Sequence, residues 1–284
     1  MLLELAIGDA YGAGFEYVDA ELVERLNDLS AYRKRHTDRR VGGRYTDDTQ
    51  MTLAIAEAVV SGEAWTPENL AKRFVDVFHR DPRPGYARRF YDFLRDTETG
   101  AEFLANIRPD SDKSGAAMRS LPVGVFSSVA EVLEKSAVQA RLTHDTPDGV
   151  AAAQAAALMS HYFLYKLGPK RDLAAFLEDH VPGYRWEEAW RGHVGAKGWM
   201  SVRAAVTAVV KYDDLAQMLC ACVAYTGDVD TVATLALGAA SCSREVAQNL
   251  PANLFHYLEN GRYGHDYLKT LDTPLLRRVA TQEN

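Results

Sequence analysis

The sequence predicts an all-α protein, a single compact multi-helix domain over residues 1–284, and three observations support this fold class. Apolar side chains recur at helical spacing along most of the chain. Strand-like alternation is nearly absent, and its best example, residues 122–126, is short. The alternation of strands and helices that builds a parallel sheet does not occur. The composition, 47% hydrophobic and 25% charged, suits a globular protein with a sizeable core.

Helical periodicity and helix-start residues define the predicted elements in chain order. One helix begins at Pro67, where Thr66 supplies an N-cap, and helical spacing continues from Phe90 to Leu94. Residues 168–197 are more polar and are expected to form short helices and loops. The other predicted helices cover residues 2–10, 18–29, 46–60, 129–142, 150–164, 201–210, 215–224, 231–240, 244–258 (which Pro251 kinks or ends) and 273–280.

Two connecting segments are candidates for contacts with a substrate. Residues 32–44 form a basic, polar loop that ends in two glycines, and a loop of that length is often a functional flap. Residues 81–86 contain two prolines and a glycine and are expected to form a turn. We expect these two segments to determine which substrate is chosen.

Charge and cysteine content exclude several classes of protein. The formal net charge of −7 argues against a broad grip on a phosphate backbone, although a nucleotide-sized ligand stays compatible. The three cysteines lie in apolar helical segments, which indicates packing residues in a reducing compartment. No apolar run is long enough for a membrane span, and residues 1–7 do not resemble a signal peptide. A cytoplasmic monomer is therefore expected.

Two helix starts carry more acids than capping requires. Thr46, Asp47 and Asp48 precede an apolar helix, and Asp228 and Asp230 precede another. One such acid is explained by N-capping and by the helix dipole. Two acids at each start are not explained in this way, and both helices are too apolar to lie at the surface. We therefore expect both starts to face one internal cleft.

Carboxylates that converge in such a cleft would repel each other or take up protons unless a cation were present. Carboxylate and hydroxyl oxygens are hard ligands, which suit Mg²⁺, Mn²⁺ or Ca²⁺ rather than Zn²⁺. Four acids with threonine oxygens can hold two ions, and a two-metal site can orient a substrate and polarise a water.

Five motifs in fixed order carry a resemblance to a known family. They are Gly8-Asp9-Ala10, Tyr45-Thr46-Asp47-Asp48-Thr49, the run from Gly115 to Pro122 (GAAMRSLP), Leu142-Thr143-His144, and Gly227-Asp228-Val229-Asp230-Thr231. Together they resemble the ADP-ribosylglycohydrolase family, which includes dinitrogenase-reductase-activating glycohydrolase. The resemblance implies an all-helical domain with two Mg²⁺ (or Mn²⁺) ions. It also implies hydrolysis of the N- or O-glycosidic bond between ADP-ribose and a protein side chain or small acceptor.

The resemblance also implies roles for individual residues. Glu16 falls where some members place a glutamate that gates or assists catalysis, and His144 matches a histidine that contacts the ligand. The residues that match the metal-ligand segments are Thr46, Asp47, Asp48, Asp228, Asp230 and Thr231. The residues that match the ADP-ribose pocket are Ser114, Gly115, Ala116 and Met118. Two positions depart from the family pattern: Thr226 replaces a glycine, and Lys113-Ser114-Gly115 replaces Gly-Asn-Gly.

The predicted chemistry leaves alternatives open. Glycosidic cleavage needs groups that manage protons, and Glu16, Asp47 and Asp228 are equal candidates. His144 could instead cap the next helix or satisfy a buried carbonyl. Tyr86 could stack on a base, but packing is the favoured interpretation. The alternative functions are an ADP-ribose-binding relative without turnover and a two-metal phosphohydrolase. The acceptor, whether arginine, serine or another group, is not predicted.

Overall fold

In the computed structural model, which describes residues 1–280, the chain folds into helices joined by turns. Extended pairing in this part of the chain is limited to isolated bridges such as that between Arg33 and Arg40. The α-helices are α1 (Leu2–Gly12), α2 (Ala20–Leu26), α3 (Asp47–Ser61), α4 (Pro67–Arg80), α5 (Arg88–Arg95), α6 (Gly100–Asn106), α7 (Val129–Arg141), α8 (Pro147–Leu164), α9 (Leu173–His180), α10 (Gly198–Lys211), α11 (Leu215–Ala224), α12 (Val229–Ala240), α13 (Ala252–Tyr257) and α14 (His265–Ala280). Short 3-10 helices cover Ser114–Ala116, Leu121–Val125 and Lys170–Asp172. The all-α prediction is confirmed.

Helices α1, α3, α8 and α12 form the centre of the molecule. Every residue of α12 is buried, and α3 is buried from Asp47 to Val59. These helices are apolar on all sides, and so other helices can cover them on every face. The outer helix α4 is amphipathic and packs its apolar face on α3, and the amphipathic helix α5 packs on α4.

Two glycines let α1 pack directly on α12. A Cβ atom on Gly8 would lie 2.6 Å from the carbonyl oxygen of Ala233, and a Cβ on Gly12 would lie 2.5 Å from Cα of Asp230. The two glycines are four residues apart and therefore share one helix face. This close contact brings the end of α1 beside the acidic start of α12.

Side-chain caps define the starts of several predicted helices. Thr46 accepts a hydrogen bond from the N–H of Asp48, Thr66 from Asn69, and Asp214 from Gln217. The predicted bounds were less accurate than the caps: residues 18–29 contain only the shorter helix α2, and α8 begins at Pro147 rather than at residue 150.

The strand candidate at residues 122–126 was wrong, because Leu121–Val125 is a buried 3-10 helix. Pro122 has no N–H to give to a ladder. Gly124 lies against α8, where an added Cβ would be 2.1 Å from Oγ of Ser160. The apolar run is therefore buried against a helix and not against another strand.

The helix predicted over residues 244–258 was also wrong, since only α13 is helical there. Ala247 pairs with the start of α11 instead: its N–H donates to Asp213 over 2.8 Å, and its carbonyl accepts from Leu215 over 3.1 Å. This pairing satisfies backbone groups that a helix would otherwise have used.

The last helix is longer than predicted, because α14 begins at His265 and contains Pro274 in its interior. Leu268, Leu271, Leu275 and Val279 are buried at helical spacing on both sides of the proline. Burial of this continuous face offsets the hydrogen bond that Pro274 cannot donate.

Helix α6 was not predicted, although the sequence carries a signal for it. Thr99 and Glu102 form a capping box, in which each side chain accepts a hydrogen bond from the other residue's backbone N–H.

Within residues 1–280, no helix combines the length and apolar character that a membrane crossing requires.

Candidate metal centre and ligand cavity

The two acidic helix starts line one cavity of about 1080 Å³. Asp47 and Asp48 occupy the first turn of α3, while Asp228 is the N-cap of α12 and Asp230 lies in its first turn. Each of these four side chains is less than 10% exposed. Thr231, in the same first turn of α12, also lines the cavity.

Asp9 of α1 holds the start of α3 in place. Its carboxylate accepts from the N–H groups of Thr46 and Thr49 at 2.9 Å each. It also accepts from their hydroxyls, at 2.7 Å for Thr46 and 2.6 Å for Thr49. Asp9 itself is fully buried. In the sequence, Asp9 falls within a motif but had no predicted role; an acid inside an apolar helix was the available signal.

The start of α12 is fixed by a left-handed turn. Thr226 has φ of +62° and Gly227 has φ of +89°, and a Cβ on Gly227 would lie 1.9 Å from the carbonyl oxygen of Val194. Thr226 therefore adopts a conformation that favours glycine, the residue that the family pattern has there. Ser201 donates to Oδ2 of Asp228 over 2.9 Å, a contact that the sequence analysis missed.

Glu16 belongs to the same acid cluster. One carboxylate oxygen each from Glu16, Asp228 and Asp230 lie within 4.8 Å of one another. The side chain of Glu16 is 23% exposed and forms an ion pair of 3.3 Å with Arg35 of the basic loop. Glu16, in the loop after α1, thus lines the cavity, and Arg35, which pairs with it, belongs to the predicted flap of residues 32–44.

Burial raises the pKa values of these carboxyl groups. For Asp47, Asp48 and Asp230 the pKa lies well above the ordinary value, first because burial disfavours charge and then because neighbouring carboxylates repel. The pKa of Glu16 is raised by burial and lowered in part by Arg35. A cation bound at the cluster would stabilise the charged carboxylates and so lower their pKa values.

The donor set fits a hard divalent cation. Oδ1 of Asp48 is buried and has no hydrogen-bond partner among the described residues. The cluster offers carboxylate and hydroxyl oxygens, which Mg²⁺ and Mn²⁺ prefer. Thr46 differs from the others because its hydroxyl already donates to Asp9 and its side chain caps α3.

The 81–86 segment is a turn, as predicted, and it covers Asp47. Gly85 has φ of +111°, and a Cβ there would lie 1.9 Å from Oδ1 of Asp47. Arg83 pairs with Asp81 and Glu259 and lies over the ring of Tyr45. These contacts anchor the turn to the segment that leads into α3.

The same cavity contains most of the predicted pocket residues. Ser114, Gly115, Met118 and His144 line the cavity. Ala116 does not: its side chain is fully buried against Ala140 and Ala153. The 3-10 turn directs the side chain of Ala116 into this alanine cluster, and a contact between Ala116 and a ligand stays a prediction.

His144 is buried beside an unusual arginine. Burial, followed by the charge of Arg119, lowers the pKa of His144 to about 3. Arg119 is 1% exposed and forms no ion pair among the described residues, and its guanidinium lies over the ring of Phe74. Thr146, and not His144, caps α8. The helix-cap alternative for His144 is therefore excluded.

Several aromatic and sulfur side chains are structural. Tyr86 donates to Gln50 over 2.8 Å and packs edge-on against Phe78, which confirms the packing interpretation. Trp186 is buried, and its indole N–H donates to Val181. Cys222 is fully buried, and burial raises the pKa of its thiol.

An all-helical fold with acids from two helix starts and from the loop after α1 around one cavity defines the class of this protein. The family model described as ADP-ribosylglycohydrolase matches residues 1–283, and the chain belongs to this family.

The individual relatives share only modest sequence identity with this chain. ADP-ribosylhydrolase ARH3 of Xenopus tropicalis is 30% identical over 191 residues, which cover 63% of this chain and 54% of that protein. ADP-ribosylarginine hydrolase Tri1 of Serratia proteamaculans is 24% identical over 256 residues, covering 82% of this chain and 67% of that protein. The chain spans about half the length of several curated relatives that it matches.

A solved structure described as an ADP-ribosylglycohydrolase-related protein complex has the same fold. It superposes with a TM-score of 0.75 at 22% identity, covering 98% of this chain and 96% of that chain. At this identity the likeness supports the fold alone.

Proposed function

We propose that this chain is a metal-dependent hydrolase that cleaves the glycosidic bond between ADP-ribose and an acceptor. The proposal rests on one observation: acids from the loop after α1, from α3 and from α12 converge on one cavity. Family membership narrows the chemistry of that cavity to ADP-ribosyl conjugates. All of these acids come from one chain, so the proposed catalytic unit is a monomer.

The cavity suits a nucleotide-sized ligand. Its volume of about 1080 Å³ lies just above the usual range for small-molecule pockets. The acid cluster lines this cavity together with Ser114, Gly115 and His144. Phe90 and Phe93 line the same cavity. The lining therefore offers both polar groups for a sugar and phosphates and aromatic rings for a base.

The residues that would hold two Mg²⁺ ions (or Mn²⁺) are those of the two helix starts. They are Thr46, Asp47, Asp48, Asp228, Asp230 and Thr231. When bound, such ions polarise ribose hydroxyls and a water. The chain's own contribution is to exclude bulk water, to hold these oxygens in place through Asp9 and Ser201, and to move a proton.

Glu16 is the best placed of the three candidates for proton transfer. Asp47 and Asp228 are almost fully enclosed, whereas Glu16 lies at the cavity wall with 23% of its side chain exposed. Its pKa is raised by burial, which brings the carboxyl group closer to working pH. In this proposal Glu16 exchanges a proton with the attacking water or the leaving acceptor atom.

The acceptor would enter beside the basic loop and the 81–86 turn. Gly85 and Tyr17 line the cavity, and Arg35 pairs with Glu16 at its wall. An arginine conjugate and a serine conjugate differ at the atom that faces Glu16. The name of one relative, an ADP-ribosylarginine hydrolase, makes the arginine conjugate the first to test.

The experiment is to measure release of ADP-ribose from arginine-, serine- and other-linked conjugates in Mg²⁺ and in EDTA. The proposal expects release from at least one conjugate, dependent on Mg²⁺, and loss of release in Glu16→Gln. Binding of ADP-ribose without release from any conjugate would favour the non-catalytic alternative. Cleavage of nucleotide phosphates instead would favour the two-metal phosphohydrolase.

A further inference from the structure

Thr143 connects two buried residues of the cavity wall. Nη2 of Arg119 lies 2.8 Å from Oγ1 of Thr143, and the same oxygen lies 2.7 Å from Nδ1 of His144. All three residues line the cavity, and none is more than 7% exposed. They form one enclosed chain of hydrogen bonds beside Gly115.

The direction of each hydrogen bond follows from the chemistry of the groups. A guanidinium has donors only, so Thr143 must accept from Arg119. Arg119 cannot turn away, because Gln139 also accepts from it through Oε1 at 2.6 Å and through its carbonyl at 2.9 Å. Among the described residues, Nδ1 of His144 is the acceptor within reach of the remaining Thr143 hydroxyl proton.

We propose that Thr143 is a positioning residue that holds His144 in the tautomer with its proton on Nε2, and that this N–H donates to an oxygen of the ligand. The opposite tautomer would leave the buried Thr143 hydroxyl proton without an acceptor. It would also point the Nδ1 proton towards the oxygen that Arg119 already occupies. His144 is then a hydrogen-bond donor and not a general base.

The position of Gly115 shows where the Nε2 proton points. A Cβ atom on Gly115 would lie 3.0 Å from Cε1 and 3.2 Å from Nε2 of His144, so a larger residue would press on this edge of the ring, which glycine leaves free. Nε2 makes no hydrogen bond within residues 1–280 and faces the cavity. The low pKa of His144 means that the ring is neutral near pH 7 and donates from one nitrogen only.

The identity of the ligand rests on the proposed function, whereas the tautomer does not. The oxygen that His144 would contact belongs to the phosphates or a ribose hydroxyl of ADP-ribose. Thr143→Val keeps the shape of the side chain and removes the hydroxyl. Thr143→Ser keeps the hydroxyl and is the matched control.

Nitrogen-15 NMR of histidine-labelled protein tests the tautomer directly, with His144 assigned from its loss in His144→Gln. We expect a protonated Nε2 and a bare Nδ1 in the wild type and in Thr143→Ser, and a mixture of tautomers in Thr143→Val. A wild-type spectrum with the proton on Nδ1 would overturn the proposal.

Calorimetric binding of ADP-ribose tests the donor role. We expect affinity to fall roughly tenfold in Thr143→Val, and to stay within about twofold of wild type in Thr143→Ser. Unchanged affinity in a Thr143→Val protein whose tautomer has shifted would overturn the donor role. A protein with the expected tautomer and affinity that releases ADP-ribose from no conjugate would contradict the proposed function and support this inference.

Discussion

A single buried carboxylate, Asp9, determines where the α3 acids lie. It binds the backbone and hydroxyl groups of Thr46 and Thr49, which flank Asp47 and Asp48. The doubled acids were visible in the sequence because each helix start carries more charge than a cap needs. Asp9 and Ser201 were not identified, because their roles depend on tertiary contacts that residue type does not reveal.

Asp9→Asn should weaken both folding and activity. One of the two accepting oxygens becomes an amide nitrogen, which cannot accept from the Thr46 or Thr49 groups. We expect the free energy of unfolding to fall by about 1–3 kcal/mol, measured by urea denaturation. The matched control is Thr234→Val in α12, since the Thr234 hydroxyl is buried without a partner among the described residues. This control should be neutral or stabilising, and a larger loss there than in Asp9→Asn would contradict the assignment.

Asp230→Asn should remove the response to divalent cations. The substitution keeps the size of the side chain and removes a charge from the centre of the acid cluster. We expect Mg²⁺ to raise the melting temperature of the wild type and to have little effect on this variant. Asp92→Asn is the control, because Asp92 lines the same cavity but its side chain is 44% exposed. An equal Mg²⁺ response in all three proteins would place the ions elsewhere.

Among the elements, the contact of α1 with α12 brings the acids together. The helices themselves could be predicted wherever apolar periodicity was strong, as in α3, α8 and α12. The non-helical conformation of residues 244–251 could not be predicted, because it depends on backbone pairing with the start of α11. The full length of α14 could not be predicted either, because the buried face that spans Pro274 is defined by its tertiary partners.

Gly12→Ala should disturb this contact. The new Cβ would lie 2.5 Å from Cα of Asp230, so one helix must shift. We expect a loss of about 1–3 kcal/mol in the free energy of unfolding, together with weaker Mg²⁺ binding. Gly261→Ala is the control, because a Cβ there meets open space. If the two variants have equal stability and Mg²⁺ affinity, close packing at Gly12 does not position Asp230.

Across the whole molecule, buried acids make stability depend on pH and metal together. The pKa values of Asp47, Asp48 and Asp230 are raised in the folded state, so this state holds more protons than the unfolded chain above about pH 4. Stability without metal must therefore fall as pH rises through the raised values. The fold class could be predicted from helical periodicity. The burial of these charged groups could not, because it depends on helices that meet only in the folded structure.

We expect the metal-free protein to be at least about 1 kcal/mol less stable at pH 8 than at pH 5, with the difference reduced by Mg²⁺. Urea denaturation at both pH values, in EDTA and in Mg²⁺, measures this effect. The double variant Asp47→Asn, Asp48→Asn should show a flatter pH dependence in EDTA. A wild-type protein that gains stability between pH 5 and pH 8 in EDTA would show that these carboxyl groups are not destabilised by burial.

We propose that the starts of α3 and α12 share one divalent-cation site, and an anomalous difference map from crystals grown with Mn²⁺ tests this most directly. We expect two peaks between Asp47, Asp48, Asp228 and Asp230, and their loss in crystals of Asp230→Asn. Peaks elsewhere, or the absence of Mn²⁺ from the acid cluster at a saturating concentration, would contradict a shared site.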